Sequence, residues 1–192
     1  MSGILPFPFL LNQTPKNSLG YLATLLGSDP LKRKVFVSYD HDDTDQVNGF
    51  LGLRYLDLGV DFINHKLDHK IGGQDDEYKR RVIREQHIRP ASVTVILIGV
   101  NYWMSKWSNW EIEDSVSEGN GLLAIALKGV GQANLPSEFQ KYYGAGLVRF
   151  WGWEPSKFSQ LINEAYQNRE QLKASMDTAQ LFLGKKTLLG GF

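Results

Sequence analysis

Val93-Thr94-Val95-Ile96-Leu97-Ile98-Gly99, followed by Ser105-Lys106-Trp107-Ser108-Asn109-Trp110-Glu111-Ile112, decides the architecture of this chain. The first segment is a run of β-branched and aliphatic residues closed by a glycine. Such a run predicts a strand buried on both faces, as in a parallel sheet. The second segment opens a helix that extends to about Gly119, and it places a carboxylate one turn in, beside two indoles.

Working outward, the same alternation repeats. Lys34-Val35-Phe36-Val37-Ser38-Tyr39 is a short apolar run ending in polar groups, as expected of a central strand, and Asp40 to Asp43 follows as a loop. Val47, Phe50, Leu51 and Tyr55 recur at helical spacing, so a helix is predicted from Thr44 to Asp57. Val60 to Asn64 reads as a second strand and His65 to Gln74 as a polar loop. Asp75 to His87 is a charged helix, with acids early and Arg80, Arg81 and Arg84 late, an order that complements the helix dipole. Beyond Glu118, Gly119-Asn120-Gly121 stops the helix, Leu122 to Leu127 is a strand, and 128–145 is a loop with one turn around Ser137 to Tyr142. Leu147 to Phe150 is a last strand. Pro155 suits the first turn of a helix striped by Phe158, Leu161, Ile162, Ala165 and Tyr166.

Strands alternating with helices predict right-handed crossovers and a parallel sheet covered on both faces. The expected fold is therefore α/β, a flavodoxin-like doubly wound five-stranded parallel sheet. The domain is assigned to 34–172, with an extension over 1–33 that contains a short helix, Leu19 to Leu26, and a tail over 173–192 of weak periodicity. In such sheets ligands bind beyond the carboxyl ends of the strands. Ser38, Tyr39, Asp40, Asn64, Asn101 and the Trp107–Glu111 turn are expected to gather there.

Composition narrows the function classes. The 192 residues carry 21 Lys+Arg and 21 Asp+Glu, a balance that does not point to nucleic acid or to an anionic membrane surface. There are no cysteines, which excludes disulfides, thiolate metal sites and a cysteine nucleophile and fits a cytoplasmic address. No apolar run approaches the length of a membrane span. Ile4 to Leu11 is apolar but carries Pro6 and Pro8 and lacks the charged start of a secretion signal. Gly72-Gly73 and Gly119-Asn120-Gly121 fit neither a Walker nor a Rossmann fingerprint. His65 and His69 have no evident third ligand, so no metal is expected.

Several motifs together resemble the Toll/interleukin receptor (TIR) fold. They are Val35-Phe36-Val37-Ser38-Tyr39, the strand end Ile98-Gly99, Trp107-x-x-x-Glu111 entering the next helix, and Glu118-Gly119-Asn120 before the following strand. More narrowly, the chain resembles the bacterial TIR-like proteins of the Thoeris antiphage system, over roughly residues 34–128. The resemblance implies NAD as substrate rather than cofactor, and cleavage of its nicotinamide–ribose bond. It further implies conversion to a cyclic ADP-ribose isomer that activates a partner effector. The family's catalytic glutamate maps onto Glu111, and its nucleotide pocket onto Ser38, Tyr39 and Asn101. The chain departs from the common TIR pattern at Asn64 to Gln74, where the usual loop is not recognisable.

Chemistry supports the mapping and also supplies rival readings. Nicotinamide leaves as a neutral group, so the difficult species is the oxocarbenium-like ribose, which one ionised carboxylate can stabilise. Against this, Ser108-Asn109-Trp110-Glu111 is a capping-box pattern, in which the glutamate folds back onto its own N-cap. Trp107 is a candidate for stacking on a ligand ring, its rival role being a core aromatic. Asp40, Asp42 and Asp43 suggest a receiver-like acidic pocket, but the strand end Gly99-Val100-Asn101 lacks the phosphoacceptor aspartate. A non-catalytic interaction module, self-assembling or effector-binding, is the alternative to the enzyme.

Overall fold

The structure is a computed structural model that describes residues 33–52, 60–63, 75–100, 102, 106–130 and 135–189. The chain divides into two units, 1–31 and 32–192, and every described residue belongs to the second. The expected helix at Leu19 to Leu26, Asn64, Asn101 and the His65–Gln74 loop lie outside the described residues.

In chain order the elements are β1 (Arg33–Ser38), a 3-10 turn (His41–Asp43), α1 (Thr44–Gly52) and β2 (Val60–Ile63). Then come α2 (Asp76–Ile83), which runs into a π-helical turn (Arg84–Ile88), β3 (Val93–Ile98), α3 (Lys106–Ser117) and β4 (Gly121–Ala126). The chain closes with α4 (Ser137–Gly144), β5 (Arg149–Trp151) and α5 (Pro155–Leu189). All strand pairings are parallel and the order is β2-β1-β3-β4-β5. The α/β class and the parallel sheet agree with the expectation from sequence.

Alternation within the strands sorts the core into two layers. Val35, Val37, Val93, Val95, Leu97, Leu123 and Ile125 face Val47, Phe50 and Leu51 of α1 and Phe158, Leu161 and Ile162 of α5. Ile96, Ile98, Leu122 and Ala124 face Ile112 and Val116 of α3 and Phe139 of α4. Phe36 packs on the same side with Ile83 and Ile88. The chain leaving β1 therefore turns to one face of the sheet, and the chain leaving β3 turns to the other. Because β1 and β3 are neighbours, their carboxyl ends mark the switch point, the place where α/β sheets bind ligands.

Local chemistry explains the boundaries. Asp75 caps α2 by accepting from Tyr78 N at 2.9 Å. Gly119, at φ 83°, closes α3 in a Schellman motif: its N–H bonds Val116 O at 3.0 Å, and the Asn120 N–H bonds Ser115 O at 2.9 Å. Gly121 opens β4 where α5 presses closest, since a Cβ there would lie 2.2 Å from Ala165 O.

Four boundaries differ from the sequence expectation. The charged helix over 75–87 ends as a π turn, with Arg89 N bonded to Arg84 O at 2.8 Å, and His87 and Ile88 within it are buried. The loop over 128–145 holds a full helix, α4. The last strand falls on Arg149–Trp151 rather than Leu147 to Phe150. The helix from Pro155 continues past Lys173 to Leu189, with Leu172 buried and Met176 packed beside it against the α3 layer. No helix among the described residues is long and apolar enough to cross a membrane.

Candidate active site

Helix α3 carries the site. Its buried positions include Ser108, Glu111, Ile112, Ser115 and Val116. That is the i, i+3, i+4, i+7, i+8 stripe of a helix packed on a core. Three of the five are polar, so this helix brings hydrogen-bonding groups, and not only apolar ones, down onto the sheet. Ser115 meets Thr94 of β3, whose hydroxyl donates to Ser115 Oγ at 2.8 Å. One turn earlier, Glu111 meets the carboxyl end of β1.

There the last residue of β1, Ser38, donates its hydroxyl to Glu111 Oε2. Ser38 Oγ also lies 2.5 Å from the Tyr102 hydroxyl. A serine hydroxyl has one proton. With that proton directed to the carboxylate, the Tyr102 hydroxyl is the donor to Ser38. All three residues are buried, at 3% exposure for Ser38, 2% for Tyr102 and 8% for Glu111. They come from three places in the sequence: the end of β1, the turn after β3, and the second turn of α3.

Burial raises the Glu111 carboxyl from 4.5 to about 7, the Ser38 hydrogen bond pulls it down, and nearby Asp114 pushes it up. Among the described residues no ion pair includes Glu111. Burial likewise drives the Tyr102 phenol well above its ordinary value, helped by Glu111 and Asp40. Tyr102 therefore keeps its proton as a donor.

The capping-box reading of Ser108 and Glu111 is corrected by this geometry. Helix α3 begins at Lys106, which puts Ser108 inside the first turn rather than at the cap. The Glu111 carboxylate reaches the sheet instead of its own backbone, because its position on the helix belongs to the core-facing stripe.

The other expected residues divide. Asp40 stays at the strand end, where its carboxylate accepts from Asp42 N at 3.0 Å and shapes the turn, close enough to influence Tyr102. Asp43 lies over Gly99, where an added Cβ would come 1.5 Å from Asp43 Oδ2. Its carboxyl is raised by burial and by Asp40 and Asp42. Tyr39 turns to the opposite layer and packs against the α1/α5 core, and burial raises its phenol. Trp107 packs against Phe36, Ile83 and Ile88 and sits edge-on to Trp110, with ring centroids 5.1 Å apart. Its described contacts are thus those of a core aromatic. Asn101 lies outside the described residues. Tyr102 was missed from sequence. The one available signal was a polar aromatic just past the Gly99 strand end, and without knowledge of the turn it is indistinguishable from its neighbour Trp103. Among the described residues no group of three potential metal ligands is brought together.

The rest of α3 is anchored independently of the site. Arg80 of α2 grips Asp114 with Nε to Oδ2 at 2.9 Å and Nη2 to Oδ1 at 2.8 Å, and reaches Glu113 at 3.1 Å. Asn109 caps the start of α4, accepting from Glu138 N at 3.2 Å. Asn120 donates to Ile88 O at 2.9 Å, tying the end of α3 to the π turn.

A parallel α/β sheet with a buried carboxylate at its β1/β3 switch point is consistent with a TIR-like domain. The family model described as the TIR-like domain of the Thoeris protein ThsB matches residues 36–132, just over half of the chain. This chain belongs to that family. The match spans β1 through the segment after β4, and so includes Ser38, Tyr102 and Glu111. No curated protein matches the chain.

Proposed function

We propose that this protein is an NAD-consuming enzyme of antiphage defence, which cleaves the nicotinamide–ribose bond and forms a cyclic ADP-ribose-type signal for an effector protein. Membership of the Thoeris TIR-like family supports a role in defence. The observation that carries the catalytic reading is the Glu111 carboxylate, buried at the sheet's carboxyl edge and held by a hydroxyl rather than neutralised by a cation. The proposal takes the sheet as flavodoxin-like, doubly wound and five-stranded, and the protein as cytoplasmic, where NAD is at hand.

In this mechanism NAD lies across the β1/β3 switch point with its nicotinamide ribose toward Glu111. The ionised carboxylate faces the ribose, and positive charge developing on the sugar is stabilised in a water-poor site. Nicotinamide departs carrying the bonding electrons and needs no proton from the enzyme. A nucleophilic atom of the same molecule's adenosine half then closes on the anomeric carbon ahead of water and gives up its proton to solvent. One carboxylate suffices. The positively charged nicotinamide ring itself favours the ionised form of Glu111, which offsets the effect of burial.

Incubation of the full chain with NAD, with nicotinamide release and nucleotide products followed chromatographically, tests the reading. Release that disappears in folded Glu111→Gln supports it, and undiminished release in that variant removes Glu111 from the chemistry. Because the family acts in phage defence, the assay is repeated in infected cells that coexpress a candidate effector. NAD left intact under both conditions would favour the non-catalytic interaction module.

A further inference from the structure

We propose that Ser38 and Tyr102 are positioning residues for the reaction, forming a one-way hydrogen-bond chain, Tyr102 to Ser38 to Glu111, that aims the carboxylate and keeps it ionised. This role presupposes Glu111 as the reacting group. With Glu111 ionised, the direction of the chain follows from proton count, since the serine's single proton points to the carboxylate and the 2.5 Å contact behind it is donated by the phenol. A donor that itself accepts a hydrogen bond is polarised and donates more strongly. Burial of all three groups keeps water from substituting for either hydroxyl.

The chain also joins the parts of the fold that meet at the switch point. Ser38 is fixed by its register opposite Ile96, and Glu111 by the stripe containing Ile112 and Val116. The hydroxyls are thereby built into the sheet end, while the carboxylate is built into the helix above it.

The charged and titratable groups around Glu111 make the effect legible. Asp114 lies on its own helix and is gripped by Arg80 of α2; Asp40 stands after β1 and bears on Tyr102. Asp43, in the turn before α1, lies over Gly99 at the end of β3. Burial and Asp114 favour the protonated acid, and the Ser38 bond is the feature that favours the carboxylate. Without the Ser38 hydroxyl, Glu111 holds its proton to higher pH and the active fraction at neutrality falls.

The test measures the carboxyl directly. Full-length protein labelled with carbon-13 at the glutamate side-chain carboxyls is titrated by NMR, and the Glu111 signal is assigned by its loss in Glu111→Gln. The expected result is an upward displacement of the Glu111 midpoint in Ser38→Ala, a proton held roughly tenfold more tightly, with a smaller displacement in Tyr102→Phe. The acid limb of kcat/KM for NAD should move with it, lowering kcat/KM at neutral pH. Midpoints identical to wild type in the folded variants would overturn the proposal. Tyr102→Phe removes one oxygen without adding volume, so it serves if Ser38→Ala does not fold. A midpoint that moves in a protein without NAD turnover would retain the chain and discard the catalytic reading. Turnover that requires Glu111 but has unmoved profiles in both variants would do the reverse.

Discussion

Helix α3 carries two buried carboxylates less than a turn apart, Glu111 and Asp114, and their surroundings are opposites. Asp114 faces α2 and is held in a two-point grip by Arg80, itself stacked over Trp110 with the guanidinium 5.4 Å from the ring centroid. Glu111 faces the end of the sheet and is met by a serine backed by a tyrosine. A carboxylate matched by a guanidinium has its charge spent on holding two helices together. One held by a hydroxyl keeps its charge uncompensated, which burial makes costly; in the proposed mechanism that charge faces the cationic sugar. The two carboxylates thus differ in how their charge is compensated, and the difference lies in the partner supplied by the next element.

The comparison breaks most sharply at Glu111. Glu111→Gln should reduce nicotinamide release by at least about 100-fold, the scale expected for loss of a preorganised charge at a reacting centre. In the unaltered protein, kcat/KM for NAD should rise with pH through about 7 and then level off, because the carboxylate is the active form. A pH–rate profile flat between about 5 and 8 would contradict that assignment.

The second effect concerns stability and has the opposite sign. A carboxyl whose proton is held more tightly in the folded than in the unfolded state makes the folded state bind more protons between the two values, so stability declines as pH rises from 4.5 toward about 7. Glu111→Gln removes that penalty. The variant should be more stable than wild type above pH 7, by at most about 3 kcal/mol, with the advantage gone near pH 4. Urea melts at the two pH values check this, and a variant less stable at both would mean that Glu111 contributes to folding as Asp114 does.

Arg80→Ala should act first on the architectural half. It leaves Asp114 buried without its cation and should cost about 1–3 kcal/mol, moderated because the arginine is one-third exposed. It should also move the Glu111 midpoint upward, since the Asp114 charge would no longer be balanced. Thermal melts combined with the NMR titration separate the two effects. The smallest change is expected at Gly99→Ala, whose Cβ would overlap the Asp43 carboxyl and force the 41–43 turn to shift, costing about 1 kcal/mol in a urea melt. No loss of stability there would mean that Asp43 swings aside freely.

Much of this was legible in the chain. The β-branched and aliphatic run at 93–98 read as a strand covered on both faces, and Gly119-Asn120 could be read as a helix end because a positive φ at that point suits glycine. Glu111 was marked by its place after the Ile98-Gly99 strand end. Its surroundings were not legible, because the same Ser-x-x-Glu spacing fits a helix cap, and local pattern cannot say which way a side chain near a helix start will turn. Trp107 was ambiguous for a related reason: an indole beside a functional carboxylate suits stacking and packing equally well until Phe36 and Ile88 are brought beneath it.

The order of apolar and polar residues thus determined the layers, the direction of the sheet and the helix that bears the carboxylate, since these depend on periodicity along the backbone. The partners of that carboxylate were decided only by tertiary structure. Ser38, Tyr102 and Glu111 are separated by 64 and 73 residues from the first of them, and what brings them together is the parallel register that sets the end of β1 beside β3 and the packing that lowers α3 onto both. Contacts of that range are set by how the layers close over the core, a property of the whole sheet that no single segment carries.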